Sequence, residues 1–162
     1  MLFSDIKDAT SFPVPESGAL VDLAYVVSHS HLESALYRVQ FNREKRGSAN
    51  MSASTISSNI YYALSSSKKM SETQKKYAPS ATTTSAAYLL MDPSEESLAT
   101  LRNTISEQAL GVEVPDTNYV SSLMTAEKAT ELAAVFKLSP HELKIGSLED
   151  AIIMKIAVKE IV

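Results

Sequence analysis

The sequence contains no cysteine, and this absence excludes several kinds of protein at once. Disulfide bonds, a thiolate nucleophile and cysteine-based zinc or iron–sulfur sites are all ruled out. The chain also lacks an uninterrupted run of about 18 apolar residues, the length that a membrane-spanning helix needs. Asp5 and Asp8 stand where a secretory signal needs basic residues. We therefore expect a protein with no membrane partner and no export by that route.

Glycine is scarce as well, with only four residues of this type in the chain. The sequence has no glycine-rich phosphate loop, no Gly-x-Ser-x-Gly elbow and no His-Glu-x-x-His pair. His29 and His31 would share one face of a strand and could bind a metal, although a polar turn is the favoured interpretation. We therefore expect no catalytic residue, no metal site and no cofactor, and a protein that is not an enzyme.

Hydrophobic residues make up 44% of the chain and charged residues 21%, which is typical of a globular protein. A chain of 162 residues can bury one substantial core. The sequence therefore predicts a single domain over residues 1–162.

The net charge of −4 is unevenly distributed. Residues 36–90 hold eight Lys or Arg against two Asp or Glu, whereas the segments before and after them are both acidic. A basic middle with acidic ends favours a surface that meets a polyanion such as nucleic acid. The alternative is chance clustering on solvated loops.

The middle of the chain is rich in Ser and Thr, which favours strands over helices. Residues 37–42 alternate between apolar and polar side chains, and this places Tyr37, Val39 and Phe41 on one face of a strand. A charged turn and an extended segment over 51–64 complete a predicted hairpin. Further strands are predicted at 20–27 and 82–91, with an N-terminal hairpin at the edge of the sheet.

Helical spacing begins after Met91. The pattern predicts a helix over 93–110 with an apolar stripe of Leu98, Leu101 and Ile105, ended by Gly111 in a left-handed conformation. Thr125 begins a second predicted helix, and Ser147 with Asp150 caps a final one. Residues 1–91 are thus mainly β and 92–162 mainly α. This order predicts an α+β fold: an antiparallel sheet made of the N-terminal hairpin and a meander, covered on one face by C-terminal helices, in an intertwined dimer.

The run from Thr84 to Leu101, together with the hairpin over 37–64, resembles the coat proteins of single-stranded RNA bacteriophages. The resemblance covers about residues 36–123. It implies a capsid protein that forms homodimers, self-assembles into a shell or virus-like particle, packages single-stranded RNA and resides in the virion after assembly in the host cytoplasm. It also implies a dimer interface that contains Leu98, Leu101 and Ile105.

The same resemblance places an RNA-binding surface on the uncovered face of the sheet. The residues expected there are Arg38, Gln40, Asn42, Asn59 and Tyr61, joined by the basic residues Arg43, Lys45, Arg46, Lys68 and Lys69. Basic side chains would neutralise phosphates, and the polar and aromatic ones would contact unpaired bases. Alternatively, Asn59 and Tyr61 are ordinary strand residues.

A second function belongs to a different class. The chain would then be a small non-enzymatic cellular interaction module that uses its C-terminal helices to bind a protein partner. Particle size in solution distinguishes a megadalton shell containing RNA from such a module.

Overall fold

The computed structural model describes residues 1–46 and 52–159. Its four strands are β1 (Leu2–Ser4), β2 (Gly18–Asp22), β3 (Ala86–Leu90) and β4 (Val112–Val114). Its eight described α-helices are α1 (His29–Arg46), α2 (Ala53–Leu64), α3 (Met70–Tyr77), α4 (Glu95–Glu107), α5 (Tyr119–Ser122), α6 (Ala126–Val135), α7 (Glu142–Ile145) and α8 (Leu148–Val158). The prediction of an α+β fold with an antiparallel sheet is confirmed.

The strands lie in the order β2-β3-β1-β4, and every described pairing is antiparallel. Within the described residues, β1 pairs with β3 and β4, and β2 pairs with β3 alone, so the expected N-terminal hairpin and meander are wrong. The chain between β1 and β2 forms a short 3₁₀ turn at Ala9–Ser11, whose first turn is capped by the Asp8 carboxylate. This turn and the two prolines that follow separate β1 from β2, which joins the sheet on the far side of β3.

Both faces of the sheet are buried. Ala19, Val21, Ala87 and Leu89 pack on one face with α1, α2 and α3, and Phe3, Leu20, Ala86 and Tyr88 pack on the other with α4 and the N-terminal turn. Nearly continuous apolar runs in β2 and β3 are typical of strands that are covered on two sides. The expectation of helices on one face only, with the other face open, is therefore wrong.

The middle of the chain is helical where strands were expected. Residues 37–42 lie in α1, and the predicted partner segment 51–64 is mostly α2. In α1 the buried residues Leu32, Ala35 and Val39 follow one another at steps of three and four, which is the spacing of one helical face. The alternation over 37–42 spans too few residues to separate the two periods, and the longer helical pattern decides the structure.

Two of the helix starts predicted after residue 91 are confirmed. Thr125 caps α6, and Ser147 with Asp150 forms the capping box of α8. The helix predicted over 93–110 is α4, and its cap is Ser94. Its left-handed C-terminal residue is Ala109, with φ of 50°, and Gly111 was the wrong choice. The structure adds the short helix α3 and the edge strand β4, neither of which was predicted from the sequence.

Helices α6 and α8 form a third apolar cluster, in which Leu132, Phe136, Ile152 and Ile156 pack together. α8 runs alongside α1 in the same direction. Ser28, just before α1, donates to Glu149 in the first turn of α8 at 2.8 Å, and Arg38, farther along α1, donates to the carbonyl of Ile156 near the end of α8 at 2.8 Å. Among the described helices, none combines the length and the hydropathy that crossing a lipid bilayer requires.

Candidate functional site

Helix α1 presents two aromatic side chains to solvent. Tyr37 is 71% exposed and Phe41 is 45% exposed, and their rings stack with centroids 6.3 Å apart and planes 17° from parallel. The Lys45 ammonium lies 5.1 Å from the centroid of the Phe41 ring. Because the three residues follow at steps of four, they share one face of the helix. We call this face, made of Tyr37, Phe41 and Lys45, the α1 aromatic stripe.

The opposite face of α1 fixes the helix in place. Leu32, Ala35 and Val39 are buried in the main core beneath it. Arg38 ties the helix to α8 through its Nη1 donation to the carbonyl of Ile156. The aromatic stripe is therefore carried by a helix that is anchored by packing and by a hydrogen bond between elements. An exposed apolar group on such a support loses little additional freedom when a partner covers it.

The C-terminus of α2 lies against the start of α1. The carbonyl of Leu64 accepts from His31 Nε2 at 2.9 Å and from the Tyr77 hydroxyl at 3.1 Å. The Val27 N–H donates to His31 Nδ1 at 3.3 Å, so the neutral ring carries its proton on Nε2. Burial lowers the pKa of His31 to about 4. A neutral, fully enclosed imidazole thus joins α1 to α2.

A lysine reaches the same helix end from the C-terminal part of the chain. Lys159 is buried, and its ammonium donates to the carbonyls of Tyr62 and Ser65, the latter at 2.8 Å. The ammonium also lies 3.6 Å from the centroid of the Tyr62 ring. A positive charge at the C-terminus of a helix interacts favourably with the helix dipole. His31, Tyr77 and Lys159 together make up what we call the α2 cap.

The two histidines proposed as a metal pair have different surroundings. His31 faces inward and uses both ring nitrogens, whereas His29 Nε2 lies 3.3 Å from Glu33 Oε1 at the surface. Residues two apart on a helix point in nearly opposite directions, which explains the separation. Within residues 1–46 and 52–159, no group of three His, Cys, Asp or Glu side chains is placed to hold a metal ion.

The residues predicted to bind RNA do not form one surface. Arg38, Gln40, Asn42, Arg43 and Lys45 are distributed around α1, Asn59 and Tyr61 lie on α2, and Lys68 and Lys69 precede α3. The Arg46 side chain lies outside the described part of the structure. The predicted arrangement required a sheet face, and a helix directs the same residues to several sides.

Two of these residues have clear structural roles. The Tyr61 side chain is buried, its hydroxyl donates to the carbonyl of Leu20 at 2.9 Å, and burial raises the pKa of Tyr61 to about 12. Lys69 forms an ion pair of 3.2 Å with Glu72 in the first turn of α3. Tyr61 therefore links α2 to the sheet, which is the structural alternative that the sequence left open for it.

The stripe predicted for a dimer interface divides into two parts. Ile105 is 2% exposed and lies in the core on the α4 side of the sheet, where Leu101 packs at its edge. Leu98 is half-buried and lines a cleft of about 310 Å³ between α4, α1 and β3. The single chain already covers most of this stripe. A role for Leu98 and Leu101 between subunits remains a prediction.

The aromatic stripe itself was missed by the sequence interpretation, which placed Tyr37 and Phe41 with Val39 on a buried face. The steps of three and four among Leu32, Ala35, Leu36 and Val39 were the signal that could have located α1. On that helix Tyr37 and Phe41 fall opposite Val39, which makes them surface residues.

Comparison with known proteins gives two matches. The model of a family described as Kinase binding protein CGI-121 matches residues 4–160. A zebrafish (Danio rerio) protein described as EKC/KEOPS complex subunit TPRKB is 27% identical over 166 residues, which cover 99% of this chain and 90% of that protein.

These matches overturn the resemblance to phage coat proteins. The family model spans almost the whole chain and describes kinase binding, and the similar protein is from an animal. The expectations of a capsid protein, a self-assembled RNA-containing shell, a single-stranded RNA partner and a virion location are therefore wrong. The strand-to-helix junction over 84–101 was a general α+β feature. The second interpretation, a cellular module that binds a protein partner, agrees better with the findings.

Proposed function

The chain belongs to the CGI-121 family of kinase-binding proteins, and from this membership we propose that it is a non-catalytic subunit that binds a protein kinase within a KEOPS-type complex. The family match over residues 4–160 is the observation that carries this function. The zebrafish protein has a similar length and is described as a complex subunit, which supports the part of the proposal that places this chain in such a complex. A family described by what it binds also favours a chain that is not an enzyme.

The α1 aromatic stripe is the surface that we assign to the kinase. Tyr is enriched among the residues that dominate binding energy at protein interfaces, and large exposed aromatic groups bury much area when covered. The Tyr37 and Phe41 rings already stack on one another, so little side-chain freedom remains to be lost. Lys45 adds a charge at the edge of the stripe, which favours a partner surface with a nearby carboxylate.

Isothermal titration of the wild-type chain with the kinase from the same source tests this function. The double substitution Tyr37→Ala and Phe41→Ala removes both rings from an exposed helix face, so the fold is retained. We expect it to weaken kinase binding roughly 30-fold or more, because truncating a central aromatic residue costs about 2 kcal/mol. Circular dichroism checks that α1 is intact.

Val112→Ala is the matched control. Val112 is a large apolar residue that is also exposed, but it lies on β4 at the edge of the sheet. This variant should bind the kinase as the wild type does. Equal weakening by both variants would contradict the assignment of the stripe, whereas absence of binding by the wild-type chain would contradict the function itself.

A further inference from the structure

A cavity of about 420 Å³ opens between α3, α6 and α8. Part of its lining is aliphatic, with Val135 from α6 and Met154 and Val158 from α8. Met154 is 64% exposed, so its apolar surface is accessible to a ligand in the cavity. Phe136 also lines the cavity, but it is only 1% exposed. The cavity shares no residue with the α1 aromatic stripe.

The rim of the cavity carries an excess of positive charge. Five lysines line the cavity against the two carboxylates of Glu72 and Glu142. Lys155 pairs with Glu142, and the Lys159 ammonium is buried in the α2 cap, so the excess charge comes from Lys68, Lys76 and Lys137. Both carboxylates have partners already: Glu72 accepts from Ser67 and pairs with Lys69, and Glu142 pairs with Lys155 at 3.0 Å. Walls of low polarity concentrate the field of such a rim. A ligand with negative charge and an aliphatic part fits this lining.

Lys137 holds its place on the rim in a strained backbone conformation. Its φ is 53°, in the left-handed region that favours glycine. The cause is a Schellman motif at the end of α6, where Leu138 N donates to the carbonyl of Ala133 at 2.8 Å and Lys137 N donates to that of Ala134 at 3.1 Å. Glycine would suit this position better. Across residues 1–46 and 52–159, the Lys137 ammonium has no carboxylate within ion-pair distance.

We infer that this cavity binds an acidic peptide segment of a partner protein, with a carboxylate side chain against Lys137 and an aliphatic side chain on Val135, Met154 and Val158. The charge of the rim and the aliphatic lining select this chemistry together. A nucleic acid fits less well, because unpaired bases stack on exposed aromatic rings. The aromatic ring in the described lining, that of Phe136, is enclosed. The two glutamates would also face the phosphates.

Fluorescence anisotropy with a labelled synthetic peptide tests the inference without any kinase. The probe is Asp-Leu-Glu-Asp-Leu-Glu, and its neutral counterpart is Asn-Leu-Gln-Asn-Leu-Gln. We expect the acidic peptide to bind roughly tenfold more tightly at low ionic strength and to lose this advantage as salt screens the rim. Equal affinity for the two peptides overturns the inference.

Two glycine substitutions distinguish the effect of the Lys137 charge on peptide binding from an effect on the fold. Lys137→Gly relieves the left-handed strain and removes the ammonium, and Ala109→Gly relieves the same strain in the matching Schellman motif at the end of α4, far in sequence from the cavity. Both variants should keep or raise the melting temperature. Only Lys137→Gly should weaken the acidic peptide, by roughly threefold. Equal peptide affinity in the two variants overturns the role of Lys137.

Methyl NMR of the methionines locates the bound peptide. The Met154 methyl signal, assigned with Met154→Leu, should shift on addition of the acidic peptide, and that of Met70 on the first turn of α3 should not, because Met70 does not line the cavity. A Met154 shift caused by an oligouridine but not by the peptide overturns the inference in favour of RNA.

Discussion

Acidification should destabilise this protein through one enclosed imidazole. His31 has no exposed surface, and its ring joins the start of α1 to the end of α2 through Val27 and Leu64. Burial is the largest cause of its lowered pKa, which falls from 6.5 to about 4. A proton added to Nδ1 would break the bond from the Val27 N–H and leave a charge in the core. The folded protein therefore resists protonation here.

The magnitude follows from the gap between the two pKa values. In the window from pH 6.5 down to about 4, the unfolded chain binds a proton at His31 that the folded chain does not bind. The free energy of unfolding thus rises with pH across this window and decreases as the pH falls through it. A gap of about 2.5 units corresponds to about 3 kcal/mol, because each unit is worth ~1.4 kcal/mol.

Urea unfolding of the wild type and His31→Gln, at steps from about pH 7 to about pH 4, measures this term. Glutamine can donate to the Leu64 carbonyl but does not titrate. The stability advantage of the wild type over the variant should shrink by about 3 kcal/mol over the window. Parallel pH profiles would refute the reasoning. If His31→Gln does not fold, ¹⁵N NMR of the wild type at mildly acidic pH should still show the Nε2–H tautomer for His31, and a charged ring would refute it equally.

Three further substitutions test the contacts that hold α2 and β2 in place. Lys159→Met keeps the apolar stem but removes the ammonium from the C-terminus of α2. We expect it to lower the free energy of unfolding in urea by about 2 kcal/mol. An unchanged urea midpoint would show that the ammonium does not stabilise α2. Gly18→Ala places a Cβ 2.1 Å from the carbonyl oxygen of Leu89 and should cost about 2–4 kcal/mol in the same assay. Gly146→Ala, whose Cβ would lie 3.5 Å from Asp150, should cost almost nothing, and equal losses at the two glycines would contradict the close approach at β2.

Local signals in the sequence were sufficient where an element is short and bounded by chemistry. Thr125 and Ser147 begin their helices as predicted, because a hydroxyl oxygen that accepts from a backbone N–H three residues later depends on near neighbours alone. The strand β3 was also found, since its apolar run is bounded by Ser and Thr on one side and Asp92 on the other. Features of this kind depend on a few neighbouring residues, so they can be predicted from the sequence.

The central helices could not be found in the same way. The Ser and Thr residues of α2 lower its helix propensity, and what fixes it is tertiary: Ile60 and Leu64 are buried, and the α2 cap holds its last turn. The aromatic stripe was missed because of this error, since the predicted strand would bury Phe41 and the helix exposes it. The cavity is further from any sequence signal, since α3, α6 and α8 come together only in the folded chain.

The position of β1 in the sheet has a consequence for synthesis on the ribosome. Leu2 pairs with Ala87 on one side and with Val114 on the other, so β1 has no neighbour in the sheet until β3 has been translated and lacks its second neighbour until β4 follows. The Phe3 ring can contact Phe12 early in synthesis, but its contact with Tyr88 has to wait for β3. β1 thus stays unpaired while residues 5–85 are synthesised, and chaperones can bind the unpaired strand during that interval.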